Sequence, residues 1–135
     1  MTTAATETRT VVVEREIPYP PEKIWRALTQ PHLIEEWLMT NDFKPVVDHR
    51  FNLRADWGGV DCQVLAVEPN RTLSYTWAAL GLDSVVTWTL TPTSTGTRLR
   101  MEQAGFRPDQ RQAYGGAKHG WPRFFDALEK VVVKA

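Results

Sequence analysis

The sequence predicts an α+β fold: a curved antiparallel sheet of about six to seven strands wrapped around a long C-terminal helix, with two short helices after the first strand. Three observations carry this. The last segment, residues 108–135, sets Trp121, Phe124, Phe125, Leu128, Val131 and Val132 at spacings of three and four, the period of one amphipathic helix. The stretch from about Lys44 to Gln103 reads as strands separated by regularly placed turn residues. Between the first apolar run and that stretch, a cluster of prolines marks a switch from strand to helical periodicity.

Taken in order, TVVVEREI at residues 10–17 is rich in β-branched residues and stops at Pro18 and Pro20, which lack backbone donors. Pro21 suits the first turn of a helix, Glu22 sits at its positive dipole end, and Ile24, Trp25 and Leu28 form its apolar stripe. Pro31 opens a second short helix in PHLIEEWL, with Leu33, Ile34, Trp37 and Leu38 at helical spacing. The strands that follow have cores FNLRA, DCQVLAVE, TLSYTW, SVVTWTLT and TRLRMEQ, with turns expected at residues 56–59, 69–70, 80–83 and 93–96. Leu73, Tyr75 and Trp77 share one face and Ser74 and Thr76 the other; Leu99 and Met101 alternate with Arg98, Arg100 and Glu102. One sheet face is therefore apolar and needs a cover. The last helix is the only element long enough to lie across it, with Pro122 tolerable only in its first turn.

Composition narrows the function. The 135 residues suit one domain, expected over residues 9–135 behind a disordered tail at residues 1–8. Sixteen basic residues balance sixteen acidic ones without a basic cluster, which argues against nucleic acid as a partner. The polar start MTTAATETRT has no apolar signal region and no stretch is long enough to span a bilayer, so no membrane insertion and a cytoplasmic location are expected. The single Cys62 agrees with a reducing compartment and reads as a packing residue. Metal chemistry is not indicated: His32, His49 and His119 are far apart and lack ligand spacing. Gly58-Gly59 and Gly115-Gly116 read as a turn and a helix start, not as a phosphate cradle, so no cofactor and no catalytic residues are assigned.

Six tryptophans, at positions 25, 37, 57, 77, 88 and 121, exceed what a core of this size requires. Spread over several strands, they suggest an aromatic-walled interior with space for a small molecule. A core that is simply rich in Trp is the competing reading.

The order of elements resembles the helix-grip fold of the START and birch-pollen-allergen (SRPBCC) superfamily. More closely, it is similar to the family named for the activator of the ninety-kilodalton heat-shock protein ATPase, in its small bacterial stand-alone form. The resemblance lies in PPEKIWRALTQPHLIEEWLM (20–39), HRFNL (49–53), VLAVEPNRTLSYTW (64–77), VVTWTLTPTSTGTRLRMEQAGF (85–106) and GWPRFFDALE (120–129). Two positions depart from the family's usual pattern: Asp48 stands where glycine is common, and Gln103 where histidine is common. The superfamily hosts many activities, so the resemblance speaks to fold more than to function.

The residues expected around a cavity are those on the concave face and its covering helix: Trp57, Tyr75, Trp77, Trp88, Met101, Trp121, Phe124 and Phe125. By resemblance, Trp37 lies near the mouth of the grip and is placed to gate it. Arg54 and Gln103 are left open as polar contacts, because strand parity does not fix their side. Leu73, Leu99 and Leu128 are assigned to the core. The main expectation is a START-like binding or carrier domain for a hydrophobic or aromatic small molecule. The alternatives are a cavity enzyme of the superfamily (cyclase, hydratase or hydrolase), which needs an ionisable group in the pocket, and a co-chaperone-like module, which needs an apolar outer face. A homodimer and a chaperone contact are left open.

Overall fold

A computed structural model describes residues 8–135. The tail expected over residues 1–8 lies outside the described residues except for Thr8. The chain runs β1 (Arg9–Ile17), α1 (Pro21–Thr29), α2 (Pro31–Trp37), β2 (Thr40–Asn41), β3 (Arg50–Ala55), β4 (Gly58–Glu68), β5 (Thr72–Ala79), β6 (Leu82–Pro92), β7 (Thr97–Phe106) and α3 (Arg111–Lys134). Every strand pair is antiparallel, in the order β1-β7-β6-β5-β4-β3-β2. With α3 across one face, this is the helix-grip arrangement.

Strand register explains the core. Val13, Met101, Trp88 and Leu73 are successive cross-strand partners on β1, β7, β6 and β5, and the neighbouring row is Val11, Gln103, Val86, Tyr75 and Val64. Cross-strand partners share a face, so both rows point toward α3. The opposite face carries Arg98, Arg100 and Glu102, as the alternation predicts; Arg100 bonds Glu102 at 2.9 Å. In β4 a bulge between Val64 and Ala66 shifts the register, leaving Leu65 exposed while Val60, Cys62 and Val64 stay buried. The two-residue β2 carries no sequence signal of its own and exists by pairing with Leu53 and Arg54 of β3.

The helix α3 is anchored at three places. Trp121, Phe125, Leu128, Val131 and Val132 are buried against the sheet, α1 and α2. Arg15, on the inner face of the edge strand β1, donates to Asp126 and Glu129 at 2.7 Å each and to the Pro122 carbonyl at 3.2 Å. Lys23 of α1 donates to the Val133 carbonyl at 2.9 Å, satisfying one of the acceptors that a helix leaves free at its C-terminus. One expectation is corrected. Pro122 does not open this helix but lies in its interior, because α3 begins at Arg111. An interior proline removes one backbone bond and costs about 3 kcal/mol; burial of Trp121 and Phe125 on either side and the Arg15 contact hold the segment helical.

Asp48 also gains a physical account. Its φ of 75° lies in the left-handed region, where glycine is free of strain and Asp is among the better-tolerated alternatives.

Candidate functional site

The covering helix changes character along its length. Ala113, Gly116, Ala117 and Gly120 fall on one face of its first half, whereas the second half carries the large buried side chains. Where the helix presents only small groups, it cannot fill the space above the sheet. A cavity of about 420 Å³ results, within the range of about 300–1,000 Å³ common for small-molecule sites. A Cβ placed on Gly116 or Gly120 would meet nothing within 4 Å. Interior helical glycine costs roughly 0.5–1 kcal/mol relative to alanine, so these positions hold space open at some expense of stability.

The sheet supplies Trp77, Leu82, Gln103 and Phe106 to the cavity, α3 adds Trp121 and Phe124 beside its small residues, and Met39 closes one side. Two hairpin turns reach its mouth. Trp57, in the β3–β4 turn, is 56% exposed, and Leu80, in the β5–β6 turn, is 93% exposed with a left-handed φ of 52°. The Trp77 and Trp121 rings are 5.4 Å apart, and Trp121 meets Phe124 edge-on at 5.4 Å.

One polar chain runs through this apolar wall. Trp121 Nε1 donates to Gln103 Oε1 at 2.7 Å, Gln103 Nε2 donates to Ser84 Oγ at 3.0 Å, and Ser84 Oγ donates to the Trp77 carbonyl at 2.9 Å. Gln103 is buried, yet it lines the cavity. The position where the family commonly has histidine therefore still presents a polar group, as an amide.

The sequence-derived candidates divide into two groups. Trp57, Trp77, Trp121 and Phe124 line the cavity. Trp37, Tyr75, Trp88, Met101 and Phe125 are packed in the core instead. Trp88 is the hub of that second group, with ring centroids 5.6 Å from Trp37, 5.8 Å from Trp121 and 5.6 Å from Phe125. Its indole donates to the Tyr75 hydroxyl at 3.1 Å, and the buried phenol is held well above its ordinary pKa by desolvation. Trp37 does not stand at the mouth: its indole donates to the Ala27 carbonyl at 2.8 Å in the buried interior. Arg54 is exposed on the face opposite its buried neighbour Leu53, away from the cavity. Met39, Leu80, Leu82, Phe106 and the small face of α3 carry no assignment from the sequence. The signal for that face was present as Ala/Gly residues at helical spacing, but Gly115-Gly116 had been assigned to a helix start.

Outside the cavity, Cys62 is buried and its thiol is pushed up to about 12, first by desolvation and then by Asp61 and Asp42. His49 Nε2 lies 3.0 Å from the Asp42 carbonyl, and its ring stacks on Phe51 at 6.3 Å. Among the described residues no three His, Cys, Asp or Glu side chains converge as a metal site. At pH 8 burial keeps Cys62 protonated, whereas roughly a quarter of an ordinary thiol is thiolate. Iodoacetamide is therefore expected to label the folded protein at least about 100-fold more slowly than the denatured chain, followed by mass spectrometry. The raised thiol pKa stabilises the fold fully below the unfolded value of about 8.5, and that contribution is lost as pH rises from there toward 12. Comparable labelling rates would show that Cys62 is reached by solvent.

Comparisons with known proteins place the whole arrangement. The chain is similar to protein MLL2253 from Mesorhizobium loti, at 70% identity and a TM-score of 0.91, over 94% of this chain and 98% of that one. It is similar to protein BH1534 from Bacillus halodurans at 26% identity and a TM-score of 0.82, over 92% and 96% of the two chains. CalU16 from Micromonospora echinospora is 25% identical with a TM-score of 0.81, over 93% of this chain and 77% of that one. No curated protein matches the chain. The family model described as Activator of Hsp90 ATPase homolog 1-like protein matches residues 18–133, nearly all of the described chain, and the chain belongs to that family.

Proposed function

We propose that the protein binds an apolar or aromatic small molecule in the cavity between β5, β6, β7 and the first half of α3. The observation that carries this is the small-residue face of α3: Ala113, Gly116, Ala117 and Gly120 leave space above Trp77 and Gln103 that larger residues would have closed. The family's cavity-forming fold supports the same reading. Binding in preference to turnover is favoured because, among the described residues, no lining side chain is ionisable, so none of them offers a general acid or base next to a bound molecule. A protein-interaction role through the outer sheet face finds less support, since Glu14, Arg100 and Glu102 form an ion-paired surface there. A cytoplasmic location is part of the same reading, resting on the single cysteine and the absence of an apolar signal region in the sequence.

The test fills the cavity from its small helical face. At Gly116 and Gly120 an added Cβ meets nothing within 4 Å, and leucine raises helix propensity, so Gly116→Leu and Gly120→Leu are each expected to hold or raise the melting temperature. The parent is expected to bind N-phenyl-1-naphthylamine saturably, with a rise in probe fluorescence, and each variant to bind about tenfold more weakly or worse as apolar contact is lost. A parent that shows no saturable binding, or filled variants that bind like the parent, would reject the proposal.

A further inference from the structure

Gln103 has more hydrogen-bonding capacity than its protein neighbours use. A primary amide offers two N–H donors and two acceptor lone pairs. Its orientation is set by its partners, because the Trp121 indole can only donate and so must face Oε1. Ser84 gives its own proton to the Trp77 carbonyl and remains an acceptor for Nε2. One N–H and one lone pair of Gln103 then have no partner among the described residues. The Trp77 indole N–H has none there either. Since no buried side-chain nitrogen or oxygen goes unsatisfied among those residues, this N–H keeps accessible surface, on a side chain that lines the cavity.

From this we infer that Gln103 determines the specificity of the cavity, which takes a neutral, largely apolar molecule presenting a carbonyl or carboxamide edge to Gln103 and Trp77. The inference rests on the small-molecule reading above and adds the ligand's chemistry to it. The orientation of the amide is locked at both ends, so its spare donor and acceptor stay in place before a ligand arrives. Among the described residues no side chain lining the cavity is charged, so a carboxylate would lose its hydration without gaining a cation from them. A hydrocarbon would suit the tilted Trp77 and Trp121 rings but would displace water from two donors and leave them unpaired.

Three probes of nearly equal size separate these cases: 2-naphthamide, 2-naphthoate and 2-methylnaphthalene, each titrated at pH 7 by tryptophan fluorescence and calorimetry. The parent is expected to bind 2-naphthamide more than about tenfold tighter than 2-naphthoate. In Gln103→Leu the ratio of 2-naphthamide to 2-methylnaphthalene affinity is expected to fall roughly two- to tenfold or more, because the amide loses its partner and the hydrocarbon no longer covers an unpaired donor. The inference is overturned if the parent binds 2-naphthoate as well as the amide, or if a folded Gln103→Leu keeps the parent's ratio. The substitution also removes the acceptor of the Trp121 indole; should that variant fail to fold, the comparison of amide and carboxylate on the parent alone decides. Binding of 2-methylnaphthalene with no preference for the amide over the carboxylate sinks this inference and leaves the cavity reading standing, whereas a parent that binds none of the three sinks both.

Discussion

Truncation after residue 118 is expected to abolish cooperative unfolding, and Phe125→Ala alone to cost about 3–5 kcal/mol. The sheet has one apolar face, and α3 is what separates it from water. Phe125 is fully buried, with its ring centroid 5.6 Å from Trp88 and the Arg15 guanidinium 5.5 Å from its own centroid. Deleting the ring leaves a void that Trp88 and Leu128 cannot close without leaving their own contacts. A loss of that size lowers the melting temperature by roughly 10–20 °C in a chain of this length. Phe124→Ala is expected to cost less, since that ring is half-buried and faces the cavity. A truncated chain that still melts cooperatively with native near-UV circular dichroism would mean that the sheet finds its cover elsewhere.

Trp88→Ala is expected to destabilise the protein by about 3–5 kcal/mol or somewhat more, because it removes both a fully buried indole and the hydrogen-bond partner of the Tyr75 hydroxyl. Trp88→Phe keeps much of the ring contact and loses the indole bond, so about 1–3 kcal/mol is expected. Chemical denaturation of the two variants measures the difference. Their probe binding, once folded, is expected to stay near the parent's, since Trp88 does not line the cavity. If Trp88→Phe weakened binding while leaving stability unchanged, the division between core and cavity aromatics would be wrong.

Much of the architecture is legible in the sequence because it depends on local repetition. Strand alternation placed Leu73, Tyr75, Trp77, Leu99 and Met101 on the inner face, and proline positions marked the starts of α1 and α2. The same local reasoning failed at Pro122, where the energy of anchoring α3 through Trp121, Phe125 and Arg15 outweighs the proline's preference for a helix start. It also left β2 unseen, since two residues become a strand only through their partner.

The cavity was legible only in part. An excess of tryptophan pointed to the interior but could not distinguish rings that fill space from rings that border it. Trp77 and Trp88 illustrate this: both point inward, yet Trp88 lies under Phe125 and Trp37 while Trp77 lies near the glycines of α3. Their separate roles depend on what the helix places above each. Gln103 has the parity of Leu99 and Met101, and its pairing with Val86 and Val11 shows that the alternation runs on without a bulge to put its amide on the inner face. The sequence by itself determined which faces of strand and helix must be buried, because hydrophobic period is a local property of the chain. The tertiary structure alone decided where burial is incomplete, because a void is the mismatch between side chains that residues distant in sequence bring to the same place.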